Sequence, residues 1–289
     1  VDSLTVRPFD EAFETPTVFA ERIAANQQLL LKEEAHFDKV IDPSSGSYYI
    51  EMLTSSLAKQ AWELFLETEG TGFYDALKAG TVQDAINASA NARFKAVANR
   101  REVLLGTNQY PNFTEKMDHK IEGVKISGGC GCSDNDKPTP LKKLNALRLA
   151  DAFNDLRLAT ERSGKHPKVF MLTVGNLAMR LARSQFSSNF FACAGYEIID
   201  NLGFNSVAEG VEAAREKGAD VVVLCSSDDE YVEFAPEAYN LLKEGNELFV
   251  VAGAPACMDQ LKEQGVEHFI HVRSNMLEIL KAFNEKLLS

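Results

Sequence analysis

The chain has 289 residues, 30 Lys+Arg against 42 Asp+Glu, a formal charge of −12 and 45% hydrophobic residues. This composition excludes a disordered or collagen-like chain. A pI near 5.0 argues against nucleic-acid binding, because like charge repels the phosphate backbone. No apolar run approaches the roughly 20 residues of a membrane helix. Five scattered cysteines make no disulfide framework and point to a reducing, cytoplasmic setting.

The length predicts two domains at about 100–200 residues each. The opening Val1-Asp2-Ser3-Leu4 has neither an initiator Met nor a signal peptide, which leads us to expect a fragment or a processed chain. Apolar residues at helical spacing predict a helix over 17–35. Asp42-Pro43-Ser44-Ser45-Gly46-Ser47 then breaks the chain. A second helix is expected over 53–69, closed by Gly70 and Gly72, and a short third ends at Gly80. Thr81-x-x-Asp84 reads as a capping box for a fourth helix reaching about Arg100. Glu102–Gly106 reads as a short strand. Residues 111–140, rich in Asp, Lys, Gly and Pro, read as a linker. A helix is expected over 141–162.

After Gly164 strands alternate with helices. The strands are expected at 168–173, 196–199, 220–224, 247–252 and 267–272. Capping boxes are expected at Ser206-x-x-Glu209 and Ser227-x-x-Glu230, and helix-ending glycines at Gly195, Gly218 and Gly265. This rhythm predicts a flavodoxin-like, doubly wound, five-stranded parallel sheet.

Ligands of such sheets bind beyond the carboxyl ends of the strands. The first loop there, Val174-Gly175-Asn176, has one glycine and no dinucleotide fingerprint, and the chain has no P-loop. Carboxylates are missing where a receiver domain needs them. Asp228-Asp229-Glu230 reads as a charged helix N-terminus. Cys130-Gly131-Cys132 lacks the second ligand pair of a zinc site and reads as exposed linker. Cys193, Cys225 and Cys257 read as small core residues. His268 and His271, both placed in the last strand, would point to opposite faces.

The segments Arg22–Leu31 and Asp42-Pro43-Ser44-Ser45-Gly46-Ser47-Tyr48-Tyr49-Ile50-Glu51 resemble methylmalonyl-CoA mutases, where a similar Asn-x-Gln helix and Asp-Pro-x-Gly-Gly-Ser-Tyr-Tyr turn close a substrate-binding barrel. Gly106-Thr107-Asn108-Gln109-Tyr110 resembles the post-barrel region. The Leu156–Ala159 helix and the sheet after it resemble the cobalamin-binding domain. A whole barrel takes ~250 residues, so the resemblance implies a helical barrel tail over 1–110, a linker over 111–140 and a cobalamin-binding-like domain over 141–289.

In that family the first loop carries Asp-x-His-x-x-Gly, whose His ligates cobalt and whose Asp orients the imidazole. The matching positions here are Ala178, Arg180 and Arg183, and a guanidinium has no lone pair for a metal. Ser226-Ser227 matches a pair that contacts the cobalamin tail, and Gly253 holds another loop open. These six residues read as a vestigial pocket. The pattern resembles the family's small, non-catalytic subunits. That resemblance implies no cofactor or metal in this chain, adenosylcobalamin in a large catalytic partner, and isomerisation of methylmalonyl-CoA and succinyl-CoA in that partner. Two other readings are a catalytic cobalamin-dependent acyl-CoA mutase and a small-molecule sensor with Ser226, Ser227 and Arg180 lining its site.

Overall fold

A computed structural model describes residues 4–11, 14–116, 141–145 and 147–289. Cys130, Cys132 and His119 lie outside the described residues, as does most of the predicted linker. By internal contacts the chain divides into two units, residues 1–90 with 120–146 and residues 91–119 with 147–289. Among the described residues no helix is long and apolar enough to cross a membrane.

The first unit is helical. α1 (Val18–Glu33) begins where Thr17 accepts from the Ala20 N–H. Thr17 is itself held by Asp10, which accepts from the Thr17 N–H at 2.9 Å and its hydroxyl at 2.7 Å. α2 (Tyr48–Thr71) starts earlier than the spacing predicts, at the aromatic pair, with Ser47 as N-cap. It passes through Gly70 and stops at Gly72, which has φ 87°. None of its residues is buried, and Trp62 stacks on Phe65 at the surface. α3 (Phe73–Ala79) ends at Gly80 in the left-handed conformation. α4 (Thr81–Ala98) follows directly. Thr81 is no N-cap, because its hydroxyl donates to the Ala76 carbonyl.

Two further expectations fail for the same reason, capture of the backbone by a side-chain amide. Residues 102–106 form no strand. Asn108, fully buried, accepts from the Leu104 N–H and donates to the Val97 and Glu102 carbonyls. Only an isolated bridge between Leu105 and Gln109 remains. The helix expected from 141 starts instead at α5 (Asp151–Arg162). Asn87 on α4 accepts from the Asn145 N–H at 2.7 Å and donates to the Lys143 carbonyl at 3.2 Å, which holds that stretch out of helix.

The second unit carries the predicted sheet: β1 (Lys168–Thr173), β2 (Glu197–Ile199), β3 (Val221–Cys225), β4 (Leu248–Ala252) and β5 (His268–Ile270), in order β2-β1-β3-β4-β5, all parallel. β5 stops before His271, so that residue lies in a loop and not across the strand from His268. Strand side chains alternate between two apolar layers, as period-2 geometry requires. Val169, Met171, Val223 and Val250 pack with α5, α6 (Leu177–Ala192) and α10 (Met276–Leu287). Phe170, Leu172, Val222 and Val251 pack with α7 (Val207–Glu216), α8 (Tyr231–Leu242) and α9 (Met258–Glu263). Phe190, Phe191 and the buried Cys193 and Cys225 lie in the first of these layers, and the buried Cys257 lies in the second. Gly195, Gly218 and Gly265 take the positive φ expected of helix-ending positions.

One buried polar cluster ties α5, α10 and the start of β2. The Tyr196 hydroxyl donates to Asn284 Oδ1 at 2.6 Å, Thr160 donates to the same oxygen at 3.3 Å, and Asn284 Nδ2 donates to the Leu156 carbonyl at 3.1 Å. Asn284→Ala leaves the Tyr196 hydroxyl without its acceptor in an apolar layer, while the Leu156 carbonyl keeps its bond from the Thr160 hydroxyl at 3.2 Å. We expect a loss of about 2–3 kcal/mol, read as a lower denaturation midpoint with unchanged slope. Tyr196→Phe keeps the Thr160 bond and should cost about 1 kcal/mol; equal losses for the two variants would contradict this assignment.

Candidate functional site at the carboxyl edge of the sheet

β1 lies between β2 and β3, so the connections leaving β1 and β3 run to opposite sides and open a crevice at their carboxyl ends. The loop after β1 turns at Gly175, φ 77°, and Asn176 caps α6 by accepting from the Met179 N–H at 3.1 Å. The loop after β3 begins at Ser226, which is fully buried.

Glu230 joins the two loops. Its Oε2 accepts from the hydroxyls of Ser226 at 2.6 Å and Ser227 at 2.7 Å, and from the Ser227 N–H at 3.2 Å. The Asn176 N–H donates to both carboxylate oxygens at 3.1 Å. The hydroxyls of Ser226 and Ser227 are the main cause of a carboxyl pKa lowered to about 2. A Cβ on Gly175 would sit 2.5 Å from this carboxylate. The expected capping box is therefore only half present, with the Glu side chain reaching back to Ser227 while α8 begins at Tyr231. Ser206 does cap α7 at the Glu209 N–H, but Glu209 reaches the Asn205 N–H and not that of Ser206.

The two arginines of α6 occupy the rest of the edge. Arg180 donates to the Gly175 carbonyl at 3.3 Å and the Leu202 carbonyl at 3.0 Å. Its guanidinium lies against Gly203, φ 116°, where a Cβ would approach within 2.5 Å. Arg183 pairs with Asp228 at 2.9 Å. Both groups lie over Gly253, whose Cβ would be 3.1 Å from Asp228 Oδ1 and 3.5 Å from Arg183 Cζ. Arg180 Nε and Arg183 Nε are buried with no hydrogen-bond partner. Below them the fully buried Tyr231 donates to the Ala252 carbonyl at 2.6 Å and accepts from the Ser226 N–H at 3.1 Å, fastening the end of β3 to that of β4. Burial pushes its hydroxyl pKa up. Burial also raises the Cys225 thiol to about 12, which leaves it no thiolate character.

Five of the six residues read from the sequence thus engage at this edge: Arg180, Arg183, Ser226, Ser227 and Gly253. Ala178 is exposed on the first turn of α6. Glu230, Asp228, Asn176 and Tyr231 escaped the sequence reading as site residues. The Ser-x-x-Glu spacing was the one available signal for Glu230, and it pointed to a helix cap. Among the described residues no group of three or more His, Cys, Asp or Glu is placed to hold a metal.

Residues 1–149 match the family model described as methylmalonyl-CoA mutase. The chain belongs to the methylmalonyl-CoA mutase family. It is similar to the methylmalonyl-CoA mutase small subunit of Porphyromonas gingivalis (strain ATCC BAA-308 / W83), with 59% identity over 287 residues that cover 99% of this chain and 46% of that one. The small subunit of Streptomyces virginiae is 36% identical over 86% of this chain and 39% of its own. The methylmalonyl-CoA mutase of Rhizobium meliloti (strain 1021) is 45% identical over 109 residues, 37% of this chain and 15% of its own. The chain therefore spans less than half the length of these curated relatives. The likeness to small subunits runs through the sheet as well as the helical unit.

Glu230 makes the edge sensitive to acid. A carboxylate whose pKa falls from 4.5 to about 2 on folding adds stability above the unfolded value, and that stability is lost as pH falls from about 4.5 toward 2. Glu230→Gln should be less stable than the wild type at pH 6. The gap should close as both are titrated to pH 2.5, measured by denaturant midpoint; a gap independent of pH would refute the assignment.

Proposed function

We propose that this chain belongs to the non-catalytic small subunit of a heterodimeric, adenosylcobalamin-dependent methylmalonyl-CoA mutase. It contributes structure and assembly, while a large subunit carries the cofactor and the radical rearrangement of methylmalonyl-CoA and succinyl-CoA. The likeness to small subunits along 99% of the chain supports the subunit assignment.

The observation that carries the non-catalytic part is the state of the carboxyl edge. A cobalamin-binding edge needs an imidazole for the cobalt and an open groove for the nucleotide tail. Here the imidazole position holds Arg180, whose guanidinium is always protonated and donates to two backbone carbonyls. The position that should be glycine holds Arg183, paired across the groove to Asp228. The serine hydroxyls left to greet a tail both donate to Glu230. These residues do not fit the cofactor, and no step of the reaction is assigned to them.

Adenosylcobalamin added to the chain should keep the visible spectrum of the free cofactor, and the chain should co-purify in a fixed ratio with a co-expressed large subunit. A tight spectral change marking exchange of the nucleotide base for a protein imidazole would overturn the cofactor-free reading. Failure to pair with any large subunit would overturn the subunit reading.

A further inference from the structure

We propose that the crevice between the ends of β1 and β3 is an oxyanion site whose resident ligand is the chain's own Glu230 carboxylate, and that a small free oxyanion such as inorganic phosphate takes its place once that side chain is withdrawn. The inference stands apart from the subunit reading and rests on local donors alone.

Four donors from two separate loops converge on one carboxylate: the Asn176 N–H after β1, and the Ser226 hydroxyl, Ser227 hydroxyl and Ser227 N–H after β3. The contacts to Oε2 run from 2.6 to 3.2 Å. That single oxygen accepts from three groups and shares a fourth, more than the two lone pairs of an sp2 oxygen serve well. A tetrahedral oxyanion would spread the same donors over several oxygens. The site also lies at the amino end of α6, a 16-residue helix whose dipole favours negative charge there.

A simpler account would make Glu230 the cap of α8. Its side chain makes no capping bond to that helix, however, although it occupies the N-cap position. The carboxylate makes no bond to the helix it precedes and instead accepts from its own loop, at Ser226 and Ser227, and from Asn176 in the loop after β1. Gly175 completes the cradle: with φ 77° and a Cβ that would fall 2.5 Å from the carboxylate, it leaves the space the anion fills. The buried Ser226 hydroxyl has this carboxylate as its acceptor, so removing the carboxylate leaves a buried donor unanswered. The pKa near 2 is what a strongly solvating donor set produces.

The test is calorimetric titration with inorganic phosphate, at ionic strength held constant with chloride, on the wild-type chain and on Glu230→Ala. The wild type should show no saturable heat. The variant should bind saturably, and its thermal midpoint should rise with phosphate and not with added chloride. Glu230→Ser, which retains a favourable N-cap residue for α8, gives the second reading should the alanine variant fold poorly. Adding Ser226→Ala and Ser227→Ala to either variant should weaken binding by about tenfold or more, as the loss of two donors to a charged acceptor predicts. The proposal is overturned if neither single variant binds phosphate, if the wild type binds as tightly as the variants, or if binding survives loss of both hydroxyls.

Discussion

The constraint on which the sheet domain depends is that β3 pairs with β1 and not with β2. With β1 buried on both sides by neighbours, its side chains must alternate between two apolar layers, and helices must cover both faces. The strands can then be near-continuous apolar runs, as Val221–Leu224 is. The same pairing sends successive connections to opposite sides and leaves the crevice at the carboxyl edge. Fold and site follow from one choice of neighbour.

What fills the crevice is polar and self-complementary. Each charged group there meets an opposite charge, a carbonyl or a hydroxyl of this chain: Arg183 with Asp228, Arg180 with two carbonyls, Glu230 with two serines and two amides. These are hydrogen-bonded charges at a partly screened edge, so each adds modest stability. Their joint effect is geometric, because they bind the loops after β1, β2 and β3 to one another.

Much of this was legible in the sequence. The strand–helix rhythm after Gly164 gave the sheet because buried parallel strands need apolar runs and glycine-ended helices whatever their partners. The region before α5 was less legible wherever a side-chain amide decides the backbone. Nothing local to 141–145 announces that Asn87 will hold it out of helix, and nothing in Glu102–Gly106 announces that Asn108 will take the Leu104 N–H and the Glu102 carbonyl. At the site the sequence draws attention to Arg180, Arg183, Ser226 and Ser227, which the structure places at the carboxyl edge. Glu230 did not, because Ser-x-x-Glu has two solutions, a helix cap or a link to another loop. The choice depends on Gly175 and Asn176, some fifty residues earlier.

The interlocking of this edge has a consequence for how such a sequence can change. Replacing Arg183 alone frees a half-exposed Asp228 carboxylate; replacing Arg180 alone frees two carbonyls, that of Leu202 on an exposed residue; replacing Glu230 alone leaves the buried Ser226 hydroxyl unanswered. The three replacements are therefore unequal: solvent can take over from Arg180 and Arg183, whereas loss of the Glu230 carboxylate leaves a buried donor without its acceptor. Substitutions at this edge are expected to couple wherever two residues share a partner, Glu230 with Ser226 and Ser227, and Arg183 with Asp228.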